Sequence, residues 1–260
     1  MNYQNVIAAH APGTLRLLKE LEAEAVQHKA VNHPYLQALS EGALPDPHRA
    51  LQDFARAYEG YSTWFPRLLS AVEARLPEAL RSVLDENKAE EAGRYDEETL
   101  RELEDAGLRR EWVEGIPHPE LFRRFQRGIG VEPDAVVDPA SPVARWREGL
   151  LHLLQTDHPA AVVGALGLGT ELVVSRMYVT VLSGVDSFGR IRPEDRTFLV
   201  LHALVDDAHA ASLLELAARF DVDKEGRTAL VRGMRTALDL RASFWDELHR
   251  RATITQEDAA

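Results

Sequence analysis

Apolar residues recur at helical spacing along almost the whole chain, and the strict alternation typical of half-buried strands is scarce. Helical patterns begin near Pro12, Pro47, Pro77, Pro117, Pro142, Pro159, Pro193 and Gly226. Pro66 falls inside the second pattern and predicts a kink or a break there. The charged segment 94–116 predicts short surface helices. No repeat or linker divides the chain, so the pattern predicts an all-α, single-domain helical bundle over residues 1–260.

Composition narrows the function without naming one. The 260 residues carry 42 acidic and 30 basic side chains and a net charge of −12, which disfavours nucleic acid or an anionic membrane as a partner. The absence of cysteine excludes disulfides, thiolate metal ligands and a thiol nucleophile. The N-terminus lacks a basic start followed by an apolar core, so no signal peptide and a cytoplasmic location are expected. A homodimer is plausible.

The longest apolar run, residues 159–182, is interrupted by Glu171 and Arg176. It is therefore interpreted as a core helix rather than a membrane span. Glu171 lies in the middle of this helix, the least comfortable place in the chain for a glutamate. Pairing with Arg176 would explain it structurally, but the five-residue spacing suits such a pair poorly. A metal ligand is the preferred interpretation.

A second apolar helix carries His202, Asp206 and His209 at spacings of four and three residues. These spacings place the three side chains on one helix face. A buried carboxylate is costly unless it is paired or bound to a metal, and imidazole with carboxylate suits iron, manganese or zinc. The alternative is that His202 and His209 are ordinary structural histidines, with Asp206 hydrogen-bonded to one of them.

A metal site in a helical bundle also needs carboxylates from other helices. Glu59 lies in the aromatic stretch "FARAYEGYSTWF", although it could equally be a surface residue. The segment "ENKAEEAGR" offers Glu86, Glu90 and Glu91, and pattern alone does not choose among them. His118, between two prolines, taken alone is interpreted as a capping or surface residue.

These residues together resemble the haem-oxygenase-like diiron oxidases and oxygenases. The resemblance lies in His202-x-x-x-Asp206-x-x-His209, the buried Glu171 in "GTELVVSRMY", Glu59 in "AYEGYSTWF", and "NKAEEAGR … HPELFRRF". It runs from Glu59 to the end of the His202 helix and implies a haem-oxygenase-like fold. The chain differs from shorter family members in an extra acidic segment between Gly93 and His118.

The resemblance implies two Fe(II) ions with dioxygen as co-substrate. The implied metal ligands are Glu59, Glu91, His118, Glu171, His202, Asp206 and His209, with Glu90 the alternative to Glu91. Among them Glu59, Glu171 and Asp206 would be the catalytic carboxylates, and Glu171 would bridge the irons or bind one of them.

The implied substrate is a small amino acid, amine or fatty acid, oxidised by N-oxygenation, desaturation or carbon–carbon cleavage. Four aromatic residues could line its pocket: Tyr58, Tyr61, Trp64 and Phe65. Arg176 is the hypothesis for binding a substrate carboxylate.

Three other functions stay open. A haem-binding or haem-degrading protein of the same fold could use His10, His28 or His33 with the glycines of "VVGALGLGTE", but this leaves Glu171, His202 and Asp206 unexplained. A cofactor-free oxidase of the same fold would ignore chelators. A non-enzymatic helical protein would bind a partner through its acidic face.

Overall fold

The computed structural model describes residues 12–133, 142–187, 191–204, 206–221 and 223–253. The side chains of residues 142, 143, 187 and 206–210 lie outside this description. Within the described ranges the regular structure is entirely helical, as the periodicity predicts.

The α-helices follow in chain order and are joined by shorter helical turns. They are α1 (Pro12–Gln27), α2 (Pro34–Ser40), α3 (Pro47–Ser62), α4 (Phe65–Arg75), α5 (Asp85–Glu91), α6 (Glu97–Asp105), α7 (Arg110–Val113), α8 (His118–Gly128), α9 (Pro142–Thr156), α10 (Pro159–Val163), α11 (Leu172–Ser187), α12 (Thr197–Leu204), α13 (Asp206–Arg219) and α14 (Lys224–Thr253). Two 3₁₀ segments, Glu78–Leu84 and Pro193–Arg196, and a π-helix, Gly164–Glu171, complete the order.

Prolines and polar caps set several helix starts. Asp46 caps α3 because its side chain accepts the Arg49 N–H, and Pro47 occupies the first turn, where its missing N–H costs nothing. α3 ends at Ser62 and α4 starts at Phe65 with Pro66 in its first turn. The break predicted at Pro66 is therefore present, and it turns the chain immediately after Tyr61 and Ser62.

The long helix α14 packs against α10 and the π-helix at the centre of the core. A Cβ added at Gly233 would lie 2.6 Å from the Ala161 carbonyl carbon, and one at Gly164 would lie 2.9 Å from the carbonyl carbon of Leu230. Glycine at both positions therefore permits a backbone-to-backbone approach that a side chain would prevent.

The apolar run from Pro159 to Asp186 is one helical rod, and the π-helix forms its middle. Among the described residues it is the one stretch long and apolar enough to cross a membrane, but 83% of its most apolar window is buried in the protein. It occupies the position of a core helix. The sequence pattern did not predict the π-helix.

Candidate metal centre

Glu91 and His118 lie side by side although they are 27 residues apart in the chain. Glu91 ends α5, His118 begins α8, and Glu91 Oε1 lies 2.9 Å from His118 Nδ1. Both side chains are buried. The charged segment between them begins and ends at the same place in the fold, because Gly115 N–H donates to the Gly93 carbonyl at 2.7 Å.

His202, on α12, completes a cluster with these two residues. One possible ligand atom from each of Glu91, His118 and His202 falls within 4.8 Å of the others, and the two imidazole ring centroids are 4.8 Å apart. His202 Nδ1 lies 2.7 Å from the Phe198 carbonyl oxygen. That contact requires a proton on Nδ1, which leaves the lone pair of a neutral ring on Nε2, the arrangement that metal-binding histidines use.

The cluster faces a cavity of about 30 Å³, enough for about two water-sized occupants. Its lining residues are Tyr61, Ser62, Phe65, Glu90, Glu91, His118, Thr170, Glu171, Val174, Tyr178, Phe198, Leu201 and His202. Three carboxylates thus surround a small space, and this described lining contains no lysine or arginine. Several carboxylates in a buried space are costly unless cations neutralise them.

The geometry of the cluster fits a bound cation. Glu91 Oε2 is buried and makes no hydrogen bond within the described residues. Two donors on one metal, with bonds of about 2.1 Å at right angles, lie roughly 3.0 Å apart, close to the 2.9 Å between Glu91 Oε1 and His118 Nδ1. Imidazole and carboxylate, with no thiolate in the chain, suit iron, manganese or zinc.

Tyr95 supports His118 from its other side. The Tyr95 hydroxyl lies 2.8 Å from His118 Nε2, and burial, together with the charges of Glu90 and Glu91, raises the pKa of Tyr95, so the phenol stays protonated. If His118 Nδ1 binds a cation, Nε2 carries the ring proton and donates it to Tyr95. A hydrogen bond of this kind fixes the orientation of a metal-binding imidazole.

Glu171 reaches the same cavity from the end of the π-helix, and its Oε1 accepts a hydrogen bond from Asn87 Nδ2 at 3.2 Å. π-Helical turns within α-helices are rare and occur frequently at functional sites. Glu90 is also buried and lines the cavity, whereas Glu86 is exposed. Of the three glutamates in "ENKAEEAGR", Glu91 is therefore the one in contact with His118.

Other predicted site residues have different positions. Glu59 is buried on α3, but it does not line the cavity; its Oε2 accepts from Gln126 Nε2 at 3.0 Å and its Oε1 lies 3.7 Å from Arg123 Nε. Arg176 is exposed on α11 and is absent from the cavity wall. The side chains of Asp206 and His209 lie outside the described part of the protein, so their roles stay predictions.

Among the four aromatic residues expected at the pocket, Tyr61 and Phe65 line it, whereas Tyr58 and Trp64 do not. Tyr58 instead lies behind the wall, with its hydroxyl 2.9 Å from that of Tyr178. Sequence reasoning missed Tyr95, Tyr178 and the buried Arg241. Tyr95 lies two residues after Gly93 in "AGRY", and the charged residues around it gave no sign that it lies beside His118.

Comparison with protein families also indicates an iron-containing enzyme. Residues 52–242 match the model of a family described as iron-containing redox enzymes. No curated protein matches the chain.

Solved structures of low sequence identity share the fold. A CADD-like protein of unknown function from Nostoc punctiforme superposes with a TM-score of 0.74 at 18% identity, covering 94% of this chain and 100% of that one. A protein of unknown function with a haem-oxygenase-like fold from Shewanella denitrificans gives 0.67 at 16% identity, covering 94% and 93%. A TenA homologue from Pseudomonas syringae gives 0.67 at 14% identity, covering 94% and 95%. The fold is thus haem-oxygenase-like, as the sequence predicts.

Proposed function

Because this chain belongs to the family of iron-containing redox enzymes, we propose that it is a dioxygen-dependent, non-haem diiron oxidoreductase acting on a small amino-acid or amine-type substrate. The observation that carries the proposal is the buried cluster of Glu91, His118 and His202, whose ligand atoms fall within 4.8 Å of one another.

The donor set supports iron held by protein side chains rather than by a porphyrin. Glu91, His118 and His202 would hold one ion, and Glu171, in the same cavity, would help to hold a second. Asp206 and His209 are assigned to this pair of ions from their spacing on the sequence. Ferrous iron would supply the reduction of dioxygen, which accepts the electrons that the substrate loses.

The remaining cavity residues would control access and orientation. Phe65, Val174, Phe198 and Leu201 form apolar walls, and an apolar lining excludes water that would compete with the substrate. The outcome is N-oxygenation, desaturation or carbon–carbon cleavage, as the family resemblance implies.

The test is a titration of the metal-free protein with ferrous iron under nitrogen, followed by admission of oxygen. We expect about two irons per chain and oxygen consumption that a substrate accelerates. His118→Ala should lose at least one iron, whereas His152→Ala should bind iron like the unchanged protein because His152 is exposed on α9.

Two results would overturn the proposal. One is a stoichiometry of zero in the unchanged protein, and the other is identical iron binding by the two histidine variants. Adding haem under the same conditions examines the haem-binding alternative, since a strong Soret band would favour that function instead.

A further inference from the structure

Ser62 carries a buried hydroxyl that faces the cavity. It is the last residue of α3, 4% of its surface is exposed, and it lines the cavity. Its Oγ makes no hydrogen bond within the described residues. Buried hydroxyls are normally bonded, so this one indicates an acceptor that enters the cavity.

Arg241 is a buried cation beside the same wall. Only 1% of it is exposed, and its Nη2 donates to the Tyr61 hydroxyl at 3.2 Å. Its guanidinium carbon lies 5.3 Å from the Tyr61 ring centroid and 5.2 Å from that of Trp146. Nε and Nη1 make no hydrogen bond within the described residues. A buried guanidinium is destabilising when its N–H groups have no hydrogen-bond acceptors.

Tyr61 connects Arg241 to the cavity. Because the Tyr61 oxygen accepts from Arg241, its own O–H proton is directed to a different acceptor. Burial, the largest cause, raises the pKa of Tyr61, so the hydroxyl remains a donor at neutral pH. The indole N–H of Trp146, which stacks on Tyr61 with ring centroids 4.3 Å apart, also has no partner within the described residues. Each of these orphaned groups can donate a hydrogen bond.

We propose that the hydroxyls of Tyr61 and Ser62, supported from behind by Arg241, bind the carboxylate of the substrate. Tyr61 and Ser62 touch the anion, and Arg241 is a positioning residue that orients Tyr61 and supplies positive charge. This subsite deepens the proposed function, because it selects acids, amino acids included, from the wider class of small amines and acids.

The charges in the cavity give the substrate a direction. Bound metal ions would neutralise the carboxylates of Glu90, Glu91 and Glu171, whereas Arg241 places positive charge at the Tyr61 side of the cavity. An amino acid would therefore bind with its carboxylate at Tyr61 and Ser62 and with the rest of the molecule toward Glu91. Arg241 would take the role for which Arg176, exposed on α11, is the sequence-based hypothesis.

The experiment compares acids with their amides. Calorimetry would follow binding of linear monocarboxylates from acetate to octanoate and of L-amino acids from alanine to phenylalanine, each against its primary amide. The protein would be metal-free and, in a second series, loaded with ferrous iron under nitrogen. Guanidinium resonances of labelled arginine, with that of Arg241 identified from its loss in Arg241→Met, would report whether the acid reaches the site.

We expect at least one acid to bind about 10- to 100-fold more tightly than its amide, since hydrogen bonds to a charged group are strong. The binding should shift the Arg241 resonance. Ser62→Ala and Tyr61→Phe should each reduce the acid preference, Arg241→Met should abolish it, and Arg241→Lys should restore part of it. A merely structural arginine would change the binding of acid and amide alike.

Ser62→Ala is the smallest of these changes, so it still tests the subsite if the Arg241 variants do not fold. Equal binding of acids and amides, no acid that shifts the Arg241 resonance, or an acid preference that survives in Arg241→Met would each overturn the subsite. Acid selectivity without iron uptake would instead remove the diiron function and leave the subsite standing.

Discussion

Gly93 lies against the backbone of Ile116. The segment that follows Glu91 and the segment that precedes His118 therefore contact each other. Gly93 has a φ of +74°, and a Cβ placed there would lie 2.6 Å from the Ile116 carbonyl oxygen. Gly115 N–H also donates to the Gly93 carbonyl at 2.7 Å. This contact lies two residues from each of the two metal-ligand candidates and joins the chain on either side of the charged segment.

The first prediction concerns that contact. Gly93→Ala should lower the free energy of unfolding by about 2–4 kcal/mol, because it adds a backbone collision to the strain of a positive φ. It should also weaken metal binding by moving Glu91 away from His118. Urea denaturation and a metal titration measure the two effects.

Gly107→Ala is the matched control. Gly107 also has a positive φ, +90°, but nothing lies within 4 Å of a Cβ there. The control should cost only about 1–2 kcal/mol and leave metal binding intact. Equal destabilisation by the two variants would show that the Ile116 contact contributes nothing.

The second prediction concerns the tyrosine behind His118. Tyr95→Phe removes the hydroxyl 2.8 Å from His118 Nε2 and should weaken ferrous iron binding about 10- to 100-fold, because that partner orients the imidazole. Calorimetric titration under nitrogen measures the change. Tyr35→Phe removes another buried hydroxyl, which donates to the Ala50 carbonyl, and should cost about 1 kcal/mol of stability without changing iron affinity. If the two variants bound iron equally, Tyr95 would have no role at the site.

The third prediction separates two neighbouring glutamates. Glu91→Gln should abolish binding of one iron, because Glu91 Oε1 lies beside His118 Nδ1 and a neutral amide is a poor replacement for a carboxylate ligand. Glu90→Gln should retain two irons per chain. Metal analysis after desalting under nitrogen counts the irons. The reverse result would assign the ligand to Glu90 and move the cluster by one residue.

The fourth prediction concerns how the stability of the protein depends on pH through His33, at the start of α2. His33 caps α2 by accepting the Tyr35 N–H, and its Nε2 lies 3.2 Å from Asp246 Oδ1. Burial is the largest cause of a lowered pKa for His33, which the hydrogen bond to Asp246 partly opposes. The unfolded chain therefore binds a proton at His33 more readily than the folded protein does, and stability from this group is lost as pH falls below about 6.5.

His33→Asn keeps a capping side chain that does not titrate. The difference in unfolding free energy between pH 7.5 and pH 5.5 should be smaller in this variant than in the unchanged protein. Chemical denaturation at the two pH values measures both slopes. Parallel slopes would mean that His33 does not contribute to the acid sensitivity.

Much of the fold could be predicted from the sequence, because helical periodicity and proline positions are local signals. The break at Pro66 and the start of α8 at His118 follow from such signals. The proximity of Glu91 to His118 came only through resemblance to a known family. No local sequence pattern predicts that two residues 27 positions apart bring Glu91 Oε1 within 2.9 Å of His118 Nδ1.

Other features of the site depend on tertiary contacts that single-residue patterns do not carry. Arg176 lies within the apolar run 159–182 and is the sequence-based hypothesis for binding a substrate carboxylate, yet its side of α11 is exposed. Arg241 lies in a strongly charged C-terminal segment, which carries no sequence signal of burial, yet it is buried beside Tyr61 and Trp146. Which face of a helix is covered depends on its neighbours, and α14 is covered on the face that holds Arg241.

The π-helix makes the position of Glu171 depend on the number of residues before it. Each residue added to or removed from an α-helix turns the rest of the helix by about 100°, and the wide π turns from Gly164 to Glu171 take up such a shift just before the cavity. A deletion of one residue between Gly164 and Thr170 would let this stretch wind as an ordinary α-helix. Such a deletion would keep the residues on either side in register, whereas a residue inserted there, where the turns are already wide, would leave every proposed ligand in the sequence and still rotate the Glu171 carboxylate off the cavity wall. Length in this segment is therefore as much a determinant of the site as the identity of its residues.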